Sequence, residues 1–385
     1  MYKICIVTTV SITLKAFVLD LAKLMADSGD FEVHFVCDND EKFSEQLPNN
    51  IHFHPISMER GISLKGFNAV YQMYKLFKKE KFDLVQYSTP NAACYASIAA
   101  RLAKIKVRLY CQWGIAYVGF QGLKRQIFKF VEKMVCQNST IIEPDSFGNL
   151  NFCHNEKLYT DRKSCVIWNG SANGVNLDKF DITKKQVWLN EIRAKYCIPR
   201  DARVFIFIGR ITRDKGINEL FEASKKMLQK YDDTYLLLVG SVEKKELIDP
   251  QLYKWSQEDQ RVIYVGFTNE VEMYIAASDV YVLPSYREGF GSSVIEAEAM
   301  GLPVIVTNIP GPTDAMKKNK TGLVVKKGDA SELYDAMEKL YFSEELRSEM
   351  GKFAFDFVSK GFDQKILFEK IKNNRIELIK GSITI

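Results

Sequence analysis

The sequence predicts an α/β fold built twice, each half a mostly parallel sheet covered by helices on both faces. Three observations carry this. Short apolar runs with strand character alternate with longer segments of helical periodicity. The alternation stops in a polar stretch, Asn169 to Lys185, and then restarts. The chain has 385 residues, more than the ~250–300 that one hydrophobic core organises.

In chain order, Lys3–Thr8 is an apolar strand run, Leu14–Ala26 has helical periodicity and Glu32–Cys37 is a second strand. Leu64–Lys79, Ala92–Lys104 and Leu123–Val135 read as helices, with Leu84–Tyr87 and Val107–Cys111 as the strands between them. Alternation of this kind implies a parallel sheet with both faces covered. After the polar stretch, Val204–Ile208 is a strand and Ile217–Lys230 a helix. Tyr235–Val239, Val262–Val265 and Val280–Leu283 are strands, Ser292–Met300 a helix, and Pro303–Val306 and Leu323–Val325 strands. The expected domains are 1–185, 186–361 and a terminal segment, 362–385, whose helix Gln364–Leu378 crosses back onto the first domain.

Composition narrows the class. Hydrophobic residues make up 46% and charged residues 26%, which excludes a disordered or collagen-like chain. No apolar run approaches the ~18–20 residues of a membrane span. Met1 to Thr9 reads as a strand without a small-residue cleavage site, so no signal peptide is expected. The eight cysteines form no Cys-x-x-Cys pair and sit mostly in apolar segments, a pattern of buried thiols rather than of a disulfide or zinc framework. The four histidines, 34, 52, 54 and 154, match no motif and read as structural or surface residues.

Charge is uneven. Residues 1–180 hold 22 basic and 17 acidic residues, which accounts for the whole net +5. Between Arg60 and Lys133 there are 14 basic and 3 acidic residues, a local +11. Such a stretch attracts anionic lipid or diphosphate. Nucleic acid is not an expected partner, because no binding motif is present.

The second half carries the chemistry. Ile208-Gly209-Arg210 ends a strand, and Lys215-Gly216 opens the next helix. Ligands of doubly wound sheets bind at the carboxyl ends of the strands. Arg210 and Lys215 are therefore candidates to meet an anion, although basic loop residues alone are weak evidence. A stronger signal is Glu288-Gly289-Phe290-Gly291-Ser292, followed by Glu296. A strand runs into a glycine-bearing turn and then a helix, whose first amides and dipole suit a diphosphate. Glu296 lies about one turn into the helix, placed for a ribose diol. Glu288 precedes the turn, near whatever the distal phosphate carries.

These residues, with Ala299-Met300-Gly301 and Pro303-Val304, resemble the signature of the retaining GT-B glycosyltransferases of family four (glycosyl transferases group 1). Gly209-Arg210 with Lys215-Gly216 is similar to that family's phosphate motif, and Asn169-Gly170 and Asn173-Gly174-Val175 with Phe180 to its interdomain segment. The resemblance implies GT-B architecture, two Rossmann-like domains facing across a cleft, the second holding the nucleotide sugar. It implies that Arg210, Lys215 and Glu288 are catalytic, the two cations on the diphosphate and Glu288 on the donor sugar. Gly209, Gly289, Phe290, Gly291, Ser292 and Glu296 would bind the donor, with UDP as the default nucleotide. No cofactor is expected, the nucleotide sugar being a substrate. No metal is expected either, since two cations already stand near the diphosphate and no Asp-x-Asp is assigned to a strand end.

The first half departs from the family. Cys111-Gln112-Trp113-Gly114 lacks the histidine many relatives carry there, and Thr8-Thr9-Val10-Ser11 replaces their glycine pair. The acceptor is inferred from the basic stretch. Lys75, Lys78, Lys79 and Lys81 on one helix, with Lys124, Arg125 and Lys129 on another, stand among aromatic and aliphatic residues. They are the expected acceptor or membrane face. The resemblance implies an enzyme peripheral on the cytoplasmic face of the cell membrane, extending a polyprenyl-diphosphate-linked glycan of bacterial surface polysaccharide. The alternatives are a non-catalytic sugar-nucleotide-binding subunit, or another GT-B enzyme such as an epimerase or phosphorylase.

Overall fold

The computed structural model describes residues 1–58 and 65–382. Arg60 and Leu64, which bounded the basic stretch and one expected helix, lie outside the described residues, as do 383–385 of the terminal segment. The chain forms two compact units, Met1–Asn173 with Lys365–Ile385, and Gly174–Gln364. The change-over falls between Asn173 and Gly174, earlier than the expected 185. The reason is a strand-like fastening: Val175 N–H donates to Phe362 C=O at 2.8 Å and Gln364 N–H to Val175 C=O at 2.9 Å. These bonds tie the polar stretch to the second unit from Gly174 onward.

The first unit is a six-stranded parallel sheet. Its strands are β1 (Tyr2–Val7), β2 (Phe31–Cys37), β3 (Ile51–Pro55), β4 (Leu84–Tyr87), β5 (Val107–Gln112) and β6 (Ile141–Pro144), in the order β3-β2-β1-β4-β5-β6. The strands are apolar on both sides because both faces are covered. Ile4 and Ile6 meet one core and Cys5 and Val7 the other. Helices Lys65–Glu80, Pro90–Leu102 and Gly122–Asn138 cover the second face. The first face takes the helices Ser11–Phe17 and Leu19–Asp27, which replace the single expected helix and meet at Val18, and the last helix, Gln364–Lys380. From that last helix Leu367, Phe368, Ile371 and Leu378 are buried, each contributing roughly 1.5–3 kcal/mol. Arg375, 1% exposed, reaches Glu143 on β6 with both guanidinium nitrogens, at 2.5 and 2.8 Å, and Gln86 on β4 at 3.2 Å.

β3 and β6 are absent from the sequence reading. β3 is an edge strand whose alternate residues are His52 and His54. These meet His34 and Glu32 of β2: His34 Nδ1 lies 2.9 Å from His54 Nε2, and His34 Nε2 2.9 Å from Glu32 Oε1. Three of the four histidines thus gather on one face, at a strand pairing that puts His34 beside His52.

The second unit repeats the design. β7 (Arg203–Ile208), β8 (Thr234–Val239), β9 (Val262–Gly266), β10 (Val280–Leu283), β11 (Val304–Thr307) and β12 (Gly322–Val325) are parallel in the order β12-β11-β10-β7-β8-β9. The strand order is the Rossmann one in both sheets. Each sheet therefore has a switch point where successive connections leave in opposite directions. It lies between β1 and β4 in the first unit and between β7 and β10 in the second.

Candidate active site

At the switch point of the second sheet, β7 leads into Gly209 and Arg210, and the chain turns through Arg213–Lys215 to Gly216, which starts the helix Ile217–Lys230. β10 leads through Pro284 to Gly291 and the helix Ser292–Ala299. The loops pack backbone against backbone. A Cβ on Gly216, whose φ is +73°, would lie 2.0 Å from Pro284 O, and one on Gly311, with φ +96°, 1.9 Å from Gly289 O. Only glycine satisfies both the conformation and the approach.

This packing brings the predicted charges together. Lys215 Nζ lies 2.6 Å from Glu288 Oε1, and both side chains are largely buried. Ser285 Oγ donates to the same oxygen at 2.7 Å, and Ser285 is itself fixed by Thr307 Oγ1 donating to its carbonyl at 2.6 Å. Arg210 is half exposed and pairs with Glu243 at 3.0 Å and Asp214 at 3.7 Å. Asp214 also receives Arg287 at 3.1 Å. Burial works to raise the Asp214 carboxyl, but the Thr212 hydroxyl and Arg287, Arg210 and Lys215 hold it below its usual value. The sequence reading did not foresee Asp214, Glu243, Ser285 or Arg287. Their signal was position: each lies on the loop after β7, β8 or β10, at the sheet's ligand edge.

Gly291, with φ +88°, stands at the start of helix Ser292–Ala299 and offers no side-chain cap. The positive end of that helix therefore has no side-chain acceptor at its cap. Glu296 is part-buried, and desolvation pushes its carboxyl up to about 7, Lys179 opposing and Glu272 adding to the rise. Lys179 Nζ lies 3.5 Å from Glu272. Phe290 belongs to the expected donor site through its backbone N–H; its ring is 3% exposed and packs on Phe362 with centroids 5.4 Å apart. Its side chain anchors the loop from beneath.

In the first unit the expected basic face is divided by the topology. Helices that follow strands begin at the carboxyl edge of the sheet. Lys124 and Arg125 start the helix Gly122–Asn138 and lie at that edge, whereas Lys78, Lys79 and Lys81 end the helix Lys65–Glu80 and lie at the opposite one. The lysines of the two helices therefore stand at opposite ends of helices that cover the same side of the sheet. Arg125 and Lys129 share Glu156, at 3.5 and 2.6 Å. Lys75 and Lys124 are exposed, over the rings of Tyr71 and Phe120. Gln112 is fully buried and bonded to Glu132 and Tyr159 at 2.5 and 2.8 Å. It belongs to the core.

An Asp-x-Asp does end a strand, contrary to expectation: Asp38-Asn39-Asp40 follows β2. Its carboxylates hold backbone and hydroxyl groups. Asp38 accepts from Met58 N–H at 2.5 Å, and Asp40 from Phe43 N–H at 3.0 Å and Ser11 Oγ at 2.5 Å. Among the described residues no helix is long and apolar enough to cross a membrane.

Residues 190–357 match the family model "Glycosyl transferases group 1" and residues 3–146 match "Glycosyl transferase 4-like". The chain is 31% identical over 357 residues to the capsular polysaccharide biosynthesis glycosyltransferase CapM of Staphylococcus aureus, covering 92% of each chain. It is 27% identical to the UDP-Gal:alpha-D-GlcNAc-diphosphoundecaprenol alpha-1,3-galactosyltransferase of Escherichia coli, covering 91% of this chain and 90% of that one. Among solved structures, HepE of Anabaena in complex with UDP shares the fold with a TM-score of 0.79 at 17% identity, over 98% of this chain and all of that one. Two Rossmann-like sheets, the loop signature on the second and these matches together place the chain in the group 1 glycosyltransferases of GT-B architecture.

Proposed function

We propose that the chain is a retaining transferase that moves a sugar from a UDP-sugar to a polyprenyl-diphosphate-linked glycan in bacterial surface polysaccharide synthesis. The observation that carries this reading is the Lys215–Glu288 pair, with Ser285 holding the carboxylate, at the switch point of the second sheet. The relatives' names supply the acceptor class: one is assigned to capsule synthesis, another to a diphosphoundecaprenol-linked sugar.

Breaking the anomeric C–O bond builds positive charge on the sugar and negative charge on the leaving diphosphate. In this reading Arg210, Lys215 and the start of helix Ser292–Ala299 stabilise the negative charge. Glu288, oriented by Ser285 and Lys215, accepts hydrogen bonds from the donor sugar, and Glu296 from the ribose. Retention follows if the acceptor attacks from the face the diphosphate leaves, the phosphate taking its proton. The positive charge comes from protein groups, so transfer is proposed to be metal-independent and to survive EDTA. The enzyme would work as a peripheral protein on the cytoplasmic face of the membrane.

A donor screen tests the reading: nucleotide release from purified protein, with and without a lipid-linked acceptor. Acceptor-dependent release of UDP supports it. Binding without turnover in every combination favours a non-catalytic subunit. Loss of activity in EDTA that Mg²⁺ restores overturns the metal-free part.

A further inference from the structure

The first unit contains an apolar groove that no step of the proposed transfer uses. Its volume is about 310 Å³, at the lower end of the ~300–1,000 Å³ typical of small-molecule sites. Three helices wall it: Phe67 and Val70 on one, Cys94 and Ile98 on the second, Phe128 and Val131 on the third. All three helices start at the carboxyl edge of the sheet, where Rossmann-like folds take their ligands. Pro90 and Asn91, at that edge, are part of its lining. It runs down the second helix from Pro90 to Ile98, about 12 Å at 1.5 Å per residue.

Two features identify an occupant that is apolar at one end and anionic at the other. Phe67 of the lining, in the first turn of its helix, is 75% exposed, a cost in water that an apolar ligand removes. A lysine stands at the same edge of the sheet. Lys124 lies over the Phe120 ring at 4.4 Å, and Phe120 packs on Phe128 of the groove wall with centroids 4.6 Å apart. The positive ends of three helix dipoles point the same way.

We propose that this groove binds the first isoprene units of a polyprenyl diphosphate, with the diphosphate at the Lys124 end. The inference rests on the lipid-linked acceptor proposed above and deepens it. It assigns chain recognition to the protein itself, not only to the membrane around it.

The first experiment uses farnesyl diphosphate and inorganic diphosphate as probes, with calorimetry on the full chain. Farnesyl diphosphate is expected to bind at least ten-fold more tightly. Ile98→Trp, which fills the groove, should abolish that difference and leave UDP affinity unchanged. Val131→Trp serves as a second filling variant, and a thermal melt of each confirms that the chain is folded. Equal binding of the two probes, or a preference that survives both folded variants, overturns the proposal.

The second experiment offers one saccharide diphosphate on a long polyprenyl chain and on a short alkyl chain, in detergent. KM for the long-chain acceptor should be at least ten-fold lower in the wild type and equal to the short-chain value in Ile98→Trp. Transfer indifferent to the tail overturns the groove and leaves the transferase reading standing. Groove-dependent binding of farnesyl diphosphate, with no transfer to any lipid-linked acceptor, supports the groove and overturns the transferase reading.

Discussion

The two units share one strand order and each holds a largely buried charge pair, in different parts of it. In the first, Arg375 and Glu143 meet inside the core, 1% and 11% exposed, and join the last helix to β6. Its switch point is neutral: Thr9 Oγ1 lies 2.8 Å from Thr89 Oγ1, and Thr9 N–H donates to the same hydroxyl at 3.1 Å. In the second, the pair is Lys215 and Glu288, and it stands at the switch point itself. Charge in the core holds elements together, and charge at the carboxyl edge stands where doubly wound sheets take their ligands. The first copy carries its ion pair in the core; the second carries a largely buried pair, Arg193 with Asp279 at 3.0 Å, and a further pair at the switch point.

The comparison breaks first, if it is wrong, at Arg375. Arg375→Met leaves Glu143 buried without its partner and should cost the first unit about 3–5 kcal/mol. UDP affinity, read by calorimetry under conditions where the variant is folded, should not change. A variant that melts like the wild type would deny the pair its structural role.

Lys215→Ala is the converse test. It removes a charge-assisted contact of ~1.5–3 kcal/mol, a ten- to hundred-fold loss in donor affinity or turnover. Its melting temperature should move far less than that of Arg375→Met. Unchanged donor kinetics would remove Lys215 from the site.

The smallest effect concerns Glu296. Its carboxyl titrates at about 7 because burial disfavours the anion. A ribose diol is accepted by the ionised form. UDP affinity should therefore rise roughly ten-fold between pH 6 and 8, as the ionised fraction grows. Glu296→Gln should bind more weakly and lose this pH dependence. A pH-independent wild type would sink the ribose role.

Acid should act on the first unit through its histidines. Burial lowers the pKa of His34 and brings that of His54 to about 4, with Glu32, Glu80, Lys3, Lys79 and His52 as their charged or titratable neighbours. A group whose folded pKa is depressed binds more protons when unfolded. Stability is therefore lost as pH falls from about 6.5 toward 4. His54→Phe should flatten that loss in a melt series at those pH values.

How far the sequence was legible follows from the range of each interaction. The glycine-bearing loop after Leu283 is contiguous, so its strand–turn–helix form was legible directly. That Lys215 and Glu288 touch depends on β7 lying beside β10, and strand order cannot be read from alternation alone. Phe290 was expected at the donor through its backbone N–H, and that its side chain is buried against Phe362 depends on a contact 72 positions away. Glu143 and Arg375, 232 positions apart, left no local trace. β6 was passed over because one of its four residues is that glutamate and another is Pro144. The net charge of the basic stretch was counted correctly, but helix direction sent its lysines to opposite edges.

The last helix makes the first unit discontinuous, and this sets an order of events during synthesis. The second unit, Gly174–Gln364, is one uninterrupted stretch and can close once its own residues have emerged. The first cannot complete its core until Leu367, Phe368 and Arg375 arrive, although its sheet strands were made first. Until then that face of the sheet is covered only in part, by Ser11–Phe17 and Leu19–Asp27, and Glu143 waits for its cation. A nascent chain stopped at residue 364 would hold a finished second unit tethered to an unfinished first one, and that intermediate is where chaperones and proteases have most to bind.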